Sequence, residues 1–147
     1  MPDSASAQLA DAARDARAAA RVLARLPGPA RDAALRAAAA ALRRRQDAIL
    51  EANAADLDTA QGLTDAFRDR LTLNPARVEA MARGLEEIAA QPGPVGRVIS
   101  EWTRPNGLVI RRVAQPMGVI GMIYESRPNV GADAAGICLK AGSAVIL

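Results

Sequence analysis

Two apolar runs near the end of the chain, residues 119–124 and 144–147, constrain its fold more than any other feature. The first is nearly continuous and rich in β-branched side chains. That is the pattern of a strand covered on both faces, not of one that alternates toward water. Between the runs, Glu125-Ser126-Arg127-Pro128-Asn129 reads as a polar loop and residues 130–141 as a helix. Asn129 is a candidate cap, Asp133 lies near the positive end, Lys140 is in the last turn and Gly142 stands just beyond it. Strand, helix and strand in this order form a β-α-β unit, which builds parallel sheets. Two parallel strands and one helix do not make a stable sheet, so the sheet is expected to continue past Leu147.

Residues 1–94 have a helical texture. Leu9, Ala13, Ala16, Ala20 and Leu23 recur at three- and four-residue steps and share a face, with Arg14, Arg17, Arg21 and Arg25 along another. Ser4 or Ser6 can cap this helix, and Pro27-Gly28-Pro29 ends it and starts the next. The second pattern points Leu35, Ala38, Leu42 and Ile49 inward and continues or bends near Arg43-Arg44-Arg45. Gly62 breaks it, Thr64 caps a short helix, and Asn74-Pro75 restarts the chain as cap and first turn. Val78, Met81, Ala82, Leu85 and Ile88 then line one face until Gln91-Pro92-Gly93-Pro94. Half of the residues are hydrophobic, but alanine supplies much of that half, and there is one Trp, one Tyr and one Phe. Close helix contacts are therefore expected to make the core.

Residues 97–104 and 108–115 read as two strands around Pro105-Asn106-Gly107, a strong hairpin signal. Arg111 and Arg112 place charge on a partly exposed ribbon. The expected division is a helical region over 1–94, a hairpin over 95–115 and the start of a parallel α/β domain over 116–147.

Several classes are excluded. With no histidine and a single cysteine, the chain can form neither an internal disulfide nor a His/Cys zinc site, and no metal is expected. The net charge is +3 and acids alternate with arginines, as at Arg31-Asp32 and Glu79 near Arg83. This pattern reads as solvated helix surface, with no nucleic-acid partner. Charges interrupt residues 9–26, so no signal peptide is read there. No run approaches the ~18 apolar residues of a membrane span. A cytoplasmic location is the default expectation.

The loop at 125–129 is the main candidate for chemistry. It leaves the carboxyl end of a strand and enters a helix, where open α/β sheets bind ligands and free N–H groups favour an anion. Arg127 precedes proline, is held extended, and is suited to a phosphate or carboxylate; the plainer reading pairs it with Glu125 or water. The glycines do not form G-x-G-x-x-G. Cys138 has no histidine to activate it and reads as a buried structural thiol. Glu51, Asn53, Asp56, Glu86 and Glu87 read as helix surface.

Several strings resemble the γ-glutamyl phosphate reductase family, a branch of the aldehyde dehydrogenase superfamily. They are Glu51-Ala52-Asn53-Ala54-Ala55-Asp56, residues 63–70, Leu73-Asn74-Pro75-Ala76-Arg77, Pro94-Val95-Gly96, and residues 116–130 with 139–147. Tyr124-Glu125-Ser126-Arg127-Pro128-Asn129 is the most distinctive. The resemblance implies an aldehyde-dehydrogenase-like α/β fold: an N-terminal helical region, an oligomerisation hairpin, and the first β-α-β of a Rossmann-like NADP-binding domain. It implies reduction of L-glutamyl 5-phosphate with NADPH to L-glutamate 5-semialdehyde and phosphate, in proline biosynthesis. The catalytic cysteine of the family belongs to a later domain and does not match Cys138, so these residues alone are expected to be inactive. By the same resemblance, Ile123, Tyr124, Glu125 and Ser126 lie beside the dinucleotide. Arg127 or Asn129 steadies the oxyanion: alignment from the strand favours Arg127, and chemistry favours Asn129. A homo-oligomer is expected, and the early Met1 favours the single-function type without a preceding kinase. The competing reading is an Arg-rich helical interaction module without cofactor.

Overall fold

The computed structural model describes residues 4–125 and 127–147. The elements are α1 Ser4–Leu23, α2 Gly28–Arg44, α3 Gln46–Thr59, α4 Asp65–Leu71, α5 Pro75–Ala90, β1 Val98–Thr103, β2 Val109–Val113, β3 Val119–Gly121, α6 Asn129–Lys140 and β4 Ala144–Ile146. This is the mixed α/β order expected from the sequence.

The helix boundaries follow local chemistry. Pro29 sits in the first turn of α2. Arg45 leaves helical geometry at φ −104°, ψ 14°, which separates α2 from α3 at the arginine triplet. The Thr64 hydroxyl accepts from Phe67 N–H at 3.4 Å, and Asn74 Oδ1 accepts from Arg77 N–H at 2.8 Å. Each meets a donor that the first turn leaves free. At the other end of α6, Ser143 N–H donates to Cys138 C=O at 2.8 Å and Gly142 N–H to Leu139 C=O at 3.0 Å. This paired closure lets the chain reverse at once into β4.

The core lies between α2 and α5: Leu35, Ala39, Ala82, Leu85 and Ala89, with Leu42, Ile88 and Leu139 against them. Alanines at the contact bring the helix axes close, and dispersion over many short contacts replaces large side chains. Gly136 extends the same logic to α6. A Cβ there would stand 2.6 Å from Leu85 Cδ2 and 3.1 Å from Ile88 Cδ1. Thus α6 belongs to both the β-α-β unit and the helical core.

β3 and β4 pair in parallel, Val119 with Ala144, Ile120 with Val145 and Gly121 with Ile146. Both α1 and α6 pack against β4. The β-α-β unit is as expected, but its first strand is shorter. Pairing stops after Met122, Ile123 is fully exposed and Tyr124 is 42% exposed. Coverage on both faces is therefore not found for this run within the described residues: Val119 and Gly121 are exposed in the strand, and beyond Met122 the chain has left the sheet. Asn129 is not the cap of α6. It is the first helical residue, and its side chain donates one turn onward to Asp133 Oδ2 at 2.9 Å.

β1 and β2 form an antiparallel hairpin. Gly107 N–H donates to Arg104 C=O and Arg104 N–H to Leu108 C=O, both at 2.9 Å, with Gly107 at φ +81°. The loop therefore has three residues, with proline opening the turn and glycine taking the left-handed position. Val98, Ile99, Trp102, Leu108, Val109 and Val113 are all exposed. Glu101 and Arg111 face each other across the ladder as an ion pair.

Three surface readings are corrected. Leu9 and Ala13 are exposed, and only the later part of α1, at Ala20, is buried. Its early turns reach beyond the sheet that the helix packs on. Ala38 is also exposed, Ala39 taking the inward place. Arg31 and Asp32 are not a solvated pair. Arg31 is buried and donates to Leu26 C=O at 2.6 Å, closing the end of α1. Asp32 accepts from Lys140 Nζ at 2.6 Å, and that ammonium also meets Ala89 C=O at 3.0 Å. Charges with partners across helices are hidden where solitary ones would stay in water. Arg43, on the outer surface, bridges α2 to Glu79 and Glu86 of α5.

Candidate functional site

Beyond Met122 the chain is unpaired through Glu125, and after Arg127 it turns at Pro128 into α6, so the helix N-terminus stands at the carboxyl end of the strand. Val130 N–H donates to Arg127 C=O at 3.0 Å, closing the turn. Arg127, Pro128, Asn129 and Asp133 form one wall of a cleft of about 450 Å³. The opposite wall comes from the last turn of α4, the α4–α5 connection and the first turns of α5: Asp69, Arg70, Thr72, Leu73, Arg77, Ala80 and Met81. An adjoining hollow of about 490 Å³ shares Arg127, Pro128, Leu73 and Met81 and reaches Tyr124 and Asn53.

The two oxyanion candidates, Arg127 and Asn129, thus face one cleft. Among the described residues Arg127 makes no ion pair, so its guanidinium is not engaged by Glu125. The Asn129 amide donates to Asp133 Oδ2 at 2.9 Å within the same wall. Of the four cofactor candidates, Tyr124 lines the adjoining hollow, while Ile123 and Glu125 are exposed and line neither space. Ser126 lies outside the described residues.

The far wall is braced by two side chains. Asn53 is buried, contrary to the surface expected for it. Its Nδ2 donates to Leu71 C=O at 2.9 Å and its Oδ1 accepts from Leu73 N–H at 2.6 Å. A signal existed: Asn53 falls one helical turn after Ile49, on the inward face, and a polar residue there must be bonded. Arg77 donates to Thr72 C=O at 2.6 Å and to Asp69 Oδ1 at 2.9 Å, and also meets Asp69 C=O. The expectation for Cys138 stands: it is buried in α6, and burial pushes its thiol pKa up, away from the reactive thiolate.

The sequence profile of the aldehyde dehydrogenase family matches residues 1–147. Over 144 residues the chain is 64% identical to the gamma-glutamyl phosphate reductase of Acidiphilium cryptum, covering 98% of this chain and 34% of that protein. Over 143 residues it is 61% identical to the protein of the same name from Paramagnetospirillum magneticum, covering 96% and 34%. Among solved structures, the gamma-glutamyl phosphate reductase of Thermotoga maritima superposes with a TM-score of 0.89 at 38% identity, over 93% of this chain and 34% of that one. The chain spans about a third of the length of these relatives.

Proposed function

Because this chain belongs to the aldehyde dehydrogenase family, we propose that it contributes to an enzyme that reduces L-glutamyl 5-phosphate with NADPH to L-glutamate 5-semialdehyde and phosphate, the reductive step of cytoplasmic proline biosynthesis. The observation that carries this reading is the 64% identity, over nearly all of the chain, to a protein named gamma-glutamyl phosphate reductase. The Arg-rich interaction module is not favoured, since it accounts for neither that identity nor the β-α-β unit.

The residues fit the parts such an enzyme needs. A nicotinamide cofactor, which family membership implies, supplies hydride when bound, and NADPH is the form proposed. Ile123, fully exposed, and the unpaired backbone through Glu125 offer an apolar and hydrogen-bonding strip at the end of β3, as a dinucleotide requires. Ser126 is proposed to complete that strip. Arg127 and Asn129 are proposed to bind the acyl-phosphate end. Each presents N–H groups to the cleft, where charge develops on the carbonyl oxygen as it is attacked. Asn53 and Arg77 keep the far wall in place. The exposed ribbon β1–β2 is proposed to serve assembly into a homo-oligomer, its apolar side chains being covered by another subunit. Residues 1–94, 95–115 and 116–147 are proposed as helical region, assembly hairpin and start of the cofactor domain.

The test is to express the full reading frame that carries these residues and follow NADPH oxidation with freshly generated glutamyl phosphate, or NADP+ reduction with glutamate semialdehyde and phosphate. Turnover that depends on phosphate in the second direction supports the reading. An enzyme that oxidises the semialdehyde without phosphate refutes it.

A further inference from the structure

The cleft beneath Arg127 carries more charge than the acyl-phosphate end of a substrate requires, and the charges are of both signs. Arg77 is fully engaged with Asp69 and the backbone of Thr72. Arg70, on the same wall, makes no ion pair among the described residues, and its guanidinium lies 5.6 Å from the centre of the Phe67 ring. Asp133, on the opposite wall, accepts from Asn129 through Oδ2 only. Among the described residues its Oδ1 accepts no hydrogen bond.

A plain aldehyde needs neither group, and a purely anionic ligand would be repelled by Asp133. A free cation and a free carboxylate oxygen on facing walls suit a zwitterion, since each charged end gains a charge-assisted hydrogen bond. The volume of about 450 Å³ lies within the ~300–1,000 Å³ usual for small-molecule sites. We propose that this cleft holds the α-amino-acid end of the substrate, Arg70 taking the α-carboxylate and Asp133 the α-ammonium. Arg127 and Asn129 stand between that end and β3, so the reacting carbon of an extended substrate lies toward the cofactor strand. The inference rests on the reading of the substrate given above and adds the residues that select an amino acid over other acyl compounds.

The test uses the full-length enzyme in the oxidative direction with NADP+ and phosphate, and two aldehydes: glutamate 5-semialdehyde and pentanal, which lacks both charged groups. Arg70→Gln and Asp133→Asn should each raise KM for the semialdehyde by about tenfold or more, the loss of one charge-assisted bond, and Arg70→Gln should leave kcat/KM for pentanal within about twofold. KM for NADP+ should not move, and Arg70→Lys should recover part of the loss. Equal losses on both aldehydes, or no loss on either, overturn the assignment. A wild-type enzyme that oxidises pentanal but not the semialdehyde defeats the substrate reading itself, and this inference with it.

Discussion

Lys140 offers the sharpest test of the packing. Its side chain is 7% exposed and that of Asp32 22%, with 2.6 Å between Nζ and Oδ1. Asp32→Ala leaves the ammonium buried with the Ala89 carbonyl as its remaining partner. Breaking a buried pair from one side costs about 3–5 kcal/mol, because the surviving charge keeps its desolvation penalty. The partial exposure of Asp32 gives water a route in, so the lower end, about 3 kcal/mol, is expected. At roughly 3 °C per kcal/mol for a chain of this size, Tm should fall by about 9 °C. Lys140→Met keeps the buried stem and removes the charge. Asp32 can then turn to water, and the loss should be about 1–2 kcal/mol, mainly the Ala89 carbonyl left unpaired. The double variant should cost about as much as Lys140→Met alone, a coupling of about 3 kcal/mol, the whole cost of Asp32→Ala. Urea denaturation of the 147-residue chain followed by circular dichroism, with the four proteins in parallel, measures this cycle. A loss under about 1 kcal/mol for Asp32→Ala, or simple additivity, would show that Lys140 reaches water and that the pair contributes nothing.

Further expectations bear on other parts of the fold. Asn53→Ala strips a partner from Leu71 C=O and Leu73 N–H; at about 1–3 kcal/mol per buried group it should cost about 2–6 kcal/mol and speed amide exchange at Leu73, and unchanged exchange there would refute the bracing role. Hydrogen bonds from Arg43 hold the Glu79 and Glu86 carboxyls below their ordinary 4.5, so their contribution is full above that value and is lost as pH falls below it through the folded-state values. Arg43→Gln should therefore lower stability above pH 4.5 and converge with wild type in acid, with a smaller gap in high salt; a gap that widens in acid would reverse the sign of the argument. Cys138 should react with a disulfide reagent only as fast as the chain opens, and the 147-residue chain alone should turn over no substrate; turnover abolished by Cys138→Ala would contradict both. In the full reading frame, Trp102→Ala with Ile110→Asp should lower the mass seen by light scattering while NADPH binding per subunit persists; unchanged mass with lost NADPH binding would move the hairpin to the active site.

Much of this protein was determined by short-range chemistry, and that part is legible in the sequence. Thr64 and Asn74 cap helices because their side-chain oxygens sit three residues before a free N–H, a relation set by the backbone alone. Pro105-Asn106-Gly107 makes a hairpin for the same local reason, and the two β-branched runs around a helix-length spacer specify a parallel pair. The loop with Arg127 and Asn129 was legible because a strand end and a helix start must meet there. The wall opposite was not. Asp69, Arg70 and Arg77 lie some fifty to sixty residues earlier, and nothing in the spacing says that α5 would bring them to α6. That meeting depends on Gly136 admitting Leu85, a contact between helices far apart in sequence. The partners of buried charges were hidden likewise: Arg31-Asp32 and Asn53 read as surface, because a charge or amide looks the same in sequence whether it faces water or a partner. Local hydrogen bonding is encoded within a few residues, while burial and charge pairing are settled only when distant helices close on one another, and there the tertiary structure decided.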